Sequence, residues 1–180
     1  MEKPSIESLQ SQLNHQLKDI IIDIPDYPKA GIVFKDITPL LKDHWEATLK
    51  ALESLLSPEE WGKIDYIAGI EARGFILAAG LAAHMGKGMI PIRKAGKLPP
   101  PVQRYEYDLE YGSDVLEMKS GSGNVLLLDD VLATGGTLKA GIHLCNESGY
   151  KVMSCAVLMD LTFLNSLTFD GQPIRSAIQF

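Results

Sequence analysis

Two adjacent carboxylates, Asp129 and Asp130, stand just before a run of small and hydroxylated residues, Ala133, Thr134, Gly135, Gly136 and Thr137. The apolar run Val125 to Leu128 precedes them and reads as a strand buried on both faces, the kind found inside a parallel sheet. A helix follows, with apolar positions at Leu138, Ile142 and Cys145 and a stop at Gly149. Such a strand–loop–helix aims unpaired backbone N–H groups and the positive end of a helix dipole at one point, which suits a phosphate. The glycines let the backbone come close, and the hydroxyls of Thr134 and Thr137 add donors. Two carboxylates beside this cradle would repel a bare phosphate. They make sense as acceptors for sugar hydroxyls or as neighbours of a magnesium ion, so the object recognised reads as a ribose phosphate. No lysine follows the glycines as in a P-loop, and G-x-G-x-x-G is absent. Taken singly, each feature fits an ordinary turn better than a site; their combination in this order reverses that balance.

Four other stretches carry groups that could complete a site. In GIEARGF, Gly69 to Phe75, a strand is expected to end at Ile70 and a helix to begin near Gly74. Arg73 then sits at a helix N-terminus, suited to a multiply charged group, although an isolated arginine there fits a surface turn equally well. RKAGKLP, Arg93 to Pro99, places Arg93, Lys94 and Lys97 just after a strand. Alone they read as a solvated loop; beside Arg73 they become a cationic rim. In GIVFKDITP, Gly31 to Pro39, Phe34 without context is better read as core than as a stacking surface. The stretch from Ala95 to Gly112 lacks a clear period and is rich in proline and polar residues, and loops this long are usually functional or disordered.

Elements able to position these groups are legible along the chain. Ile6, Leu9, Leu13, Leu17 and Ile20 predict an amphipathic N-terminal helix, capped by Ser5 and ended by Pro25 and Pro28. Thr38-Pro39 is a helix start, and Trp45, Leu49, Leu52 and Leu56 mark the buried face of the next helix. From there strand and helix alternate: a strand over 64–70, a helix over 75–85, strands over 89–92 and 115–118, the central strand and its helix, then a strand over 152–159. Helices between buried strands predict an α/β fold, a central, mostly parallel sheet flanked by helices, with ligands bound beyond the strands' carboxyl ends. Residues 163–169 and 174–178 read as strands closing over the sheet edge.

Composition narrows the function. The 180 residues suffice for one domain with a real core. A formal net charge of -6 argues against a nucleic-acid backbone as partner. Cys145 and Cys155 have no metal-type spacing and read as reduced core thiols, and the four histidines are scattered. No apolar run is long enough for a bilayer and the polar start is no secretory signal, so a cytoplasmic enzyme is expected.

The segment from Val125 to Thr137 resembles the phosphoribosyl pyrophosphate signature of the type I phosphoribosyltransferases, and YDLEYG, Tyr107 to Gly112, resembles the adenine branch of that family. The resemblance keeps its order and spacing from Gly31 to Gly149. It implies one domain over 1–180, with an N-terminal helix and base-binding hood over 1–36 and a flexible catalytic loop over 95–112. It further implies that Asp129 and Asp130 contact the ribose hydroxyls while Ala133, Thr134, Gly135, Gly136 and Thr137 hold the 5-phosphate. Pyrophosphate would fall to Glu71, Ala72, Arg73, Arg93, Lys94 and Lys97, with a strained peptide joining Glu71 to Ala72. Phe34 would stack on the base, flanked by Val33 and Lys35, with Val131 closing the opposite face. Glu110 would be the catalytic carboxylate alongside Arg73, and Tyr111 would line the substrates. The implied activity is transfer of a phosphoribosyl group from phosphoribosyl pyrophosphate to adenine, giving AMP and pyrophosphate, with Mg²⁺ held mainly by substrate and the enzyme a homodimer. Two departures stand out: the run Pro99-Pro100-Pro101 is stiff for a loop hinge, and Lys35 stands where family members often carry arginine. Rival readings are a transferase for hypoxanthine, guanine or xanthine, and a non-catalytic sensor on the same fold.

Overall fold

Buried apolar runs alternate with amphipathic ones, and the computed structural model, which describes residues 6–108 and 113–180, turns that rhythm into strands and helices. Helix α1 (Ile6–Ile20) leads into the strands β1 (Ile22–Pro25) and β2 (Val33–Asp36), followed by α2 (Thr38–Asp43), α3 (Trp45–Glu53) and α4 (Pro58–Gly62). Then come β3 (Tyr66–Ile70), α5 (Arg73–His84), β4 (Gly88–Lys94), β5 (Gln103–Asp108) and β6 (Ser113–Met118). The chain ends with β7 (Gly123–Leu132), α6 (Gly136–Glu147), β8 (Tyr150–Asp160), β9 (Thr168–Phe169), β10 (Gln172–Pro173) and β11 (Arg175–Gln179).

Seven strands form the main sheet in the order β11-β8-β7-β3-β4-β6-β5. From β11 to β4 all neighbours are parallel, and β6 and β5 add an antiparallel edge. Alternation along the central strands fills both faces. Ile67, Leu126 and Leu128 pack with Leu77 and Leu81 of α5 and with α3, while Ala68, Ile70, Val125 and Leu127 pack with Leu138, Leu144 and Cys145 of α6. Truncating any of these fully buried leucines to alanine costs about 2–5 kcal/mol. The crossover from β3 runs through α5 to β4 on one side, and the one from β7 runs through α6 to β8 on the other. The strand order therefore reverses between β3 and β7, and a crevice opens there between diverging loops.

Several elements differ from the sequence expectation. The first helix stops at Ile20, five residues before Pro25, because Ile22–Pro25 pairs with Val33–Asp36 as a separate antiparallel ribbon. Leu9 lies on the solvent side of that helix, 51% exposed. The stretch 95–112 is not one long loop, since Gln103–Asp108 pairs with β6 along its whole length. Its alternation was masked because the inward positions are Tyr105 and Tyr107 rather than aliphatic residues. The central strand continues through Asp129 and Asp130 to Leu132, where Val131 and Leu132 still pair with Met159 and Asp160. In the tail, Arg175–Gln179 does add a parallel edge strand, but only Thr168–Phe169 of the 163–169 stretch is extended. That edge strand is tied to α4, whose capping box joins Ser57 and Glu60, by an ion pair from Arg175 to Glu60. The arginine, together with the Ser57 N–H, holds the Glu60 carboxyl down at about 2.

Candidate active site

The loop leaving β7 closes on itself to make a small cavity of about 130 Å³ lined by Asp129, Val131 to Thr137 and Leu138. Gly135 makes this loop possible. It caps α6 with φ of 87°, a left-handed conformation that a side chain resists, and a Cβ there would come within 3.1 Å of Leu167. No side chain caps α6, so its first N–H groups are left to face the cavity with the Thr137 hydroxyl. Free N–H groups at a helix start are the kind of donors that suit an anion.

The two acids sit at its rim, each only 7% exposed. Asp129 turns towards the start of α5, where a Cβ on Gly74 would lie 2.8 Å from its Oδ1; only glycine lets the helix approach this closely. Burial pushes the Asp129 carboxyl well above the usual carboxylate range, and the neighbouring charge of Asp130 adds to it. Arg73 supplies the matching positive charge, with Nη2 2.5 Å from Asp130 Oδ2.

Arg73 is also the junction to the ribbon. Its Nη1 donates to the Lys35 carbonyl at 3.0 Å, and its guanidinium lies 4.6 Å from the Phe34 ring centroid. Tyr27 meets the same ring edge-on at 5.2 Å. Phe34 is therefore half-buried beside Arg73 rather than in the core, and Val33 beside it is exposed. The Lys35 ammonium points elsewhere, to Asp23 at 2.7 Å and over the Phe180 ring at 3.8 Å, so only its backbone faces Arg73. Val131 packs towards the α5 side of the sheet.

A second charged group lies at the ends of β3 and β4. The Glu71–Ala72 peptide is cis. Glu71 accepts from Arg93 Nε at 3.2 Å and from the Lys94 N–H at 2.9 Å, and the arginine holds its carboxyl below the usual range. Arg93 also donates to the Lys97 carbonyl at 3.1 Å, while the Lys97 side chain is exposed. Lys94 pairs with Asp114 of β6 and donates to the Tyr107 hydroxyl at 3.3 Å. Burial works to lower its pKa, but those two partners outweigh burial and raise it. Arg93 and Lys94 thus stand together at the ends of these strands, each paired with an acid. Glu110 and Tyr111 lie outside the described residues.

The sequence reading did not assign Tyr27, Asp114 or Phe180 to the site. Tyr107 it saw only as the start of a motif. Their signal is spatial, carried by the pairing of β1 with β2 and of β5 with β6.

Residues 43–162 match the family of the phosphoribosyl transferase domain. This chain belongs to that family. The phosphoribosyltransferase match is supported by relatives over nearly the full length. An adenine phosphoribosyltransferase of Bdellovibrio bacteriovorus is 53% identical over 164 residues, 91% of this chain and 99% of the relative. One from Hydrogenovibrio crunogenus is 50% identical over 167 residues, 92% of this chain and 97% of the relative. Among solved structures, the crystal structure of the adenine phosphoribosyltransferase from Rhodothermus marinus superposes with a TM-score of 0.82 at 41% identity, covering 94% of this chain and 99% of that one. The small-residue loop and the two adjacent acids both stand at the β3–β7 switch point.

Proposed function

We propose that this phosphoribosyltransferase is a purine salvage enzyme that transfers the 5-phosphoribosyl group of phosphoribosyl pyrophosphate to adenine, giving AMP and pyrophosphate. The observation that carries the reading is the link through Arg73. One side chain joins the sugar-binding acid Asp130 to the aromatic face of Phe34, so the sugar and base sites share a wall.

A ring nitrogen of adenine attacks the anomeric carbon as the C–O bond to pyrophosphate breaks, and positive charge builds on the sugar. The chain has three tasks. Asp129 and Asp130 accept from the ribose hydroxyls while the amides of Ala133 to Thr137 hold the 5-phosphate, fixing the sugar at both ends. Arg73, Arg93, Lys94 and Lys97, with the backbone of Glu71 and Ala72, receive the departing pyrophosphate; losing one well-placed donor costs about 3 kcal/mol of barrier. Phe34 stacks on the purine, Val33 and Lys35 offer backbone contacts, and Val131 closes the other side. Glu110 manages a proton on the purine, and Tyr111 lines the substrates.

Mg²⁺ fits this donor set as a substrate-borne ion. Two neighbouring carboxylates suit an ion that takes its other ligands from phosphates and water. When bound, it neutralises charge on the leaving pyrophosphate. The enzyme is proposed to be cytoplasmic and homodimeric, one domain over 1–180 with its hood over 1–36. No helix among the described residues is long and apolar enough to cross a membrane.

Mixing adenine, phosphoribosyl pyrophosphate and Mg²⁺ should give AMP only when all three are present, with far less IMP or GMP from hypoxanthine or guanine. AMP formation no better than the other nucleotides would remove the adenine assignment.

A further inference from the structure

Tyr107 lies one residue before the end of β5 with its ring buried in the α6 side of the core, 8% exposed, and its hydroxyl among three polar side chains from three different elements. Lys94 Nζ is at 3.3 Å, Asp114 Oδ2 at 3.4 Å and Thr137 Oγ1 at 3.4 Å. The last belongs to the first turn of α6 and lines the phosphate cradle. Two residues back on the same strand face, Tyr105 stacks on His143 of α6 at 5.1 Å with the rings 7° apart. Strand β5 is therefore registered against α6 at two points, so the Tyr107 oxygen is held beside Thr137.

A phenol has one proton to give and two lone pairs to receive. The Lys94 ammonium can only donate, so it takes a lone pair. The proton has two takers, Asp114 and Thr137. Asp114 is well supplied, since Lys94 donates to Oδ2 and the Val115 N–H to Oδ1 at 2.8 Å. Contacts of 3.4 Å are long for O–H···O, so neither taker holds the proton firmly. An anion in the cradle changes that choice. The Thr137 hydroxyl then gives its proton to the phosphate and must accept at its own oxygen, and the Tyr107 proton is the one aimed there.

We propose, on the basis of the phosphoribosyl reading above, that Tyr107 is a positioning residue for the sugar phosphate: its hydroxyl donates to Thr137 and so fixes the rotor that donates to the 5-phosphate. The chain Lys94–Tyr107–Thr137–phosphate strengthens along its length because each donor is polarised by the group behind it. It also joins the pyrophosphate rim to the opposite end of the same substrate.

The test is calorimetric binding of AMP and of adenine, without turnover. Tyr107→Phe should weaken AMP about tenfold and leave adenine within twofold. Thr137→Val should weaken AMP by a similar factor, and the double variant should be no weaker than Thr137→Val alone. A chain carrying 3-fluorotyrosine at 107, which keeps the hydroxyl, should bind AMP at least as well as the parent. Unchanged AMP binding by Tyr107→Phe, additive losses in the double variant, or a fluorotyrosine chain as weak as the phenylalanine one would each overturn the proposal. A parent protein that fails to bind AMP would instead bring down the phosphoribosyl reading and this inference with it.

Discussion

Gly74→Ala isolates the placement of Asp129 from its chemistry. The added Cβ would lie 2.8 Å from Asp129 Oδ1 and 3.4 Å from both the Asp129 Cα and the Leu128 carbonyl. Non-bonded carbon prefers neighbours about 3.5–4.0 Å away, so the oxygen must retreat by roughly half an ångström or more. It has little room to do so, because Asp129 is 7% exposed and the backbone contacts at 3.4 Å resist movement of the strand. A displacement of about 1 Å in a positioned group costs roughly a hundredfold, so this one should cost about tenfold in kcat/KM for phosphoribosyl pyrophosphate. Stability should change little, because the roughly 1 kcal/mol that alanine gains over glycine in a helix opposes an overpacking cost of about 1–3 kcal/mol. The assay is steady-state AMP formation with thermal melting alongside, and Gly62→Ala, whose Cβ would meet nothing within 4 Å, serves as control. A folded Gly74→Ala enzyme with parental kcat/KM would refute the claim that the position of Asp129 matters to the sugar.

Asp129→Asn should be more stable than the parent at pH 8, with the gain shrinking towards pH 4. The native carboxyl is raised by burial, so stability is fully present below the ordinary value of about 3.9 and is lost as pH rises through the elevated native one, a loss the amide does not suffer. A difference in melting temperature that stays flat with pH would contradict this. The same variant should bind phosphoribosyl pyrophosphate more weakly. Arg73→Ala should lower turnover at least about a hundredfold, and near-normal AMP formation would remove its leaving-group role. Cys145, pushed up to about 12 by burial, and Cys155, pushed further, should resist a thiol reagent at pH 8 until denaturant is added; rapid labelling of the native protein would show the core to be open there.

The parts of this molecule that were readable beforehand are those whose chemistry is local in the chain. The strand, acids, small-residue loop and helix from Val125 to Gly149 are contiguous, so their joint geometry follows from backbone rules alone. Arg73 was likewise placed at a helix start by the glycine and apolar residues around it. Its destination was not readable, because the Asp130 carboxylate and the Phe34 ring meet it across 57 and 39 residues of chain. The ribbon of β1 and β2 was missed for a related reason: with Ile22 and Ile24 exposed, its strands lack the buried alternation that marks a sheet strand. Lys35 illustrates the limit of residue type, since the side chain that looked available for a substrate is held by Asp23 and Phe180 while its carbonyl does the local work.

A crystal structure of the protein with AMP tests the central claim most directly. The phosphate should sit on the amides of Ala133 to Thr137, both ribose hydroxyls on Asp129 and Asp130, and the purine flat against Phe34 with Arg73 displaced from that ring. AMP bound elsewhere, with this crevice holding only solvent and Arg73 still against Phe34, would contradict the account.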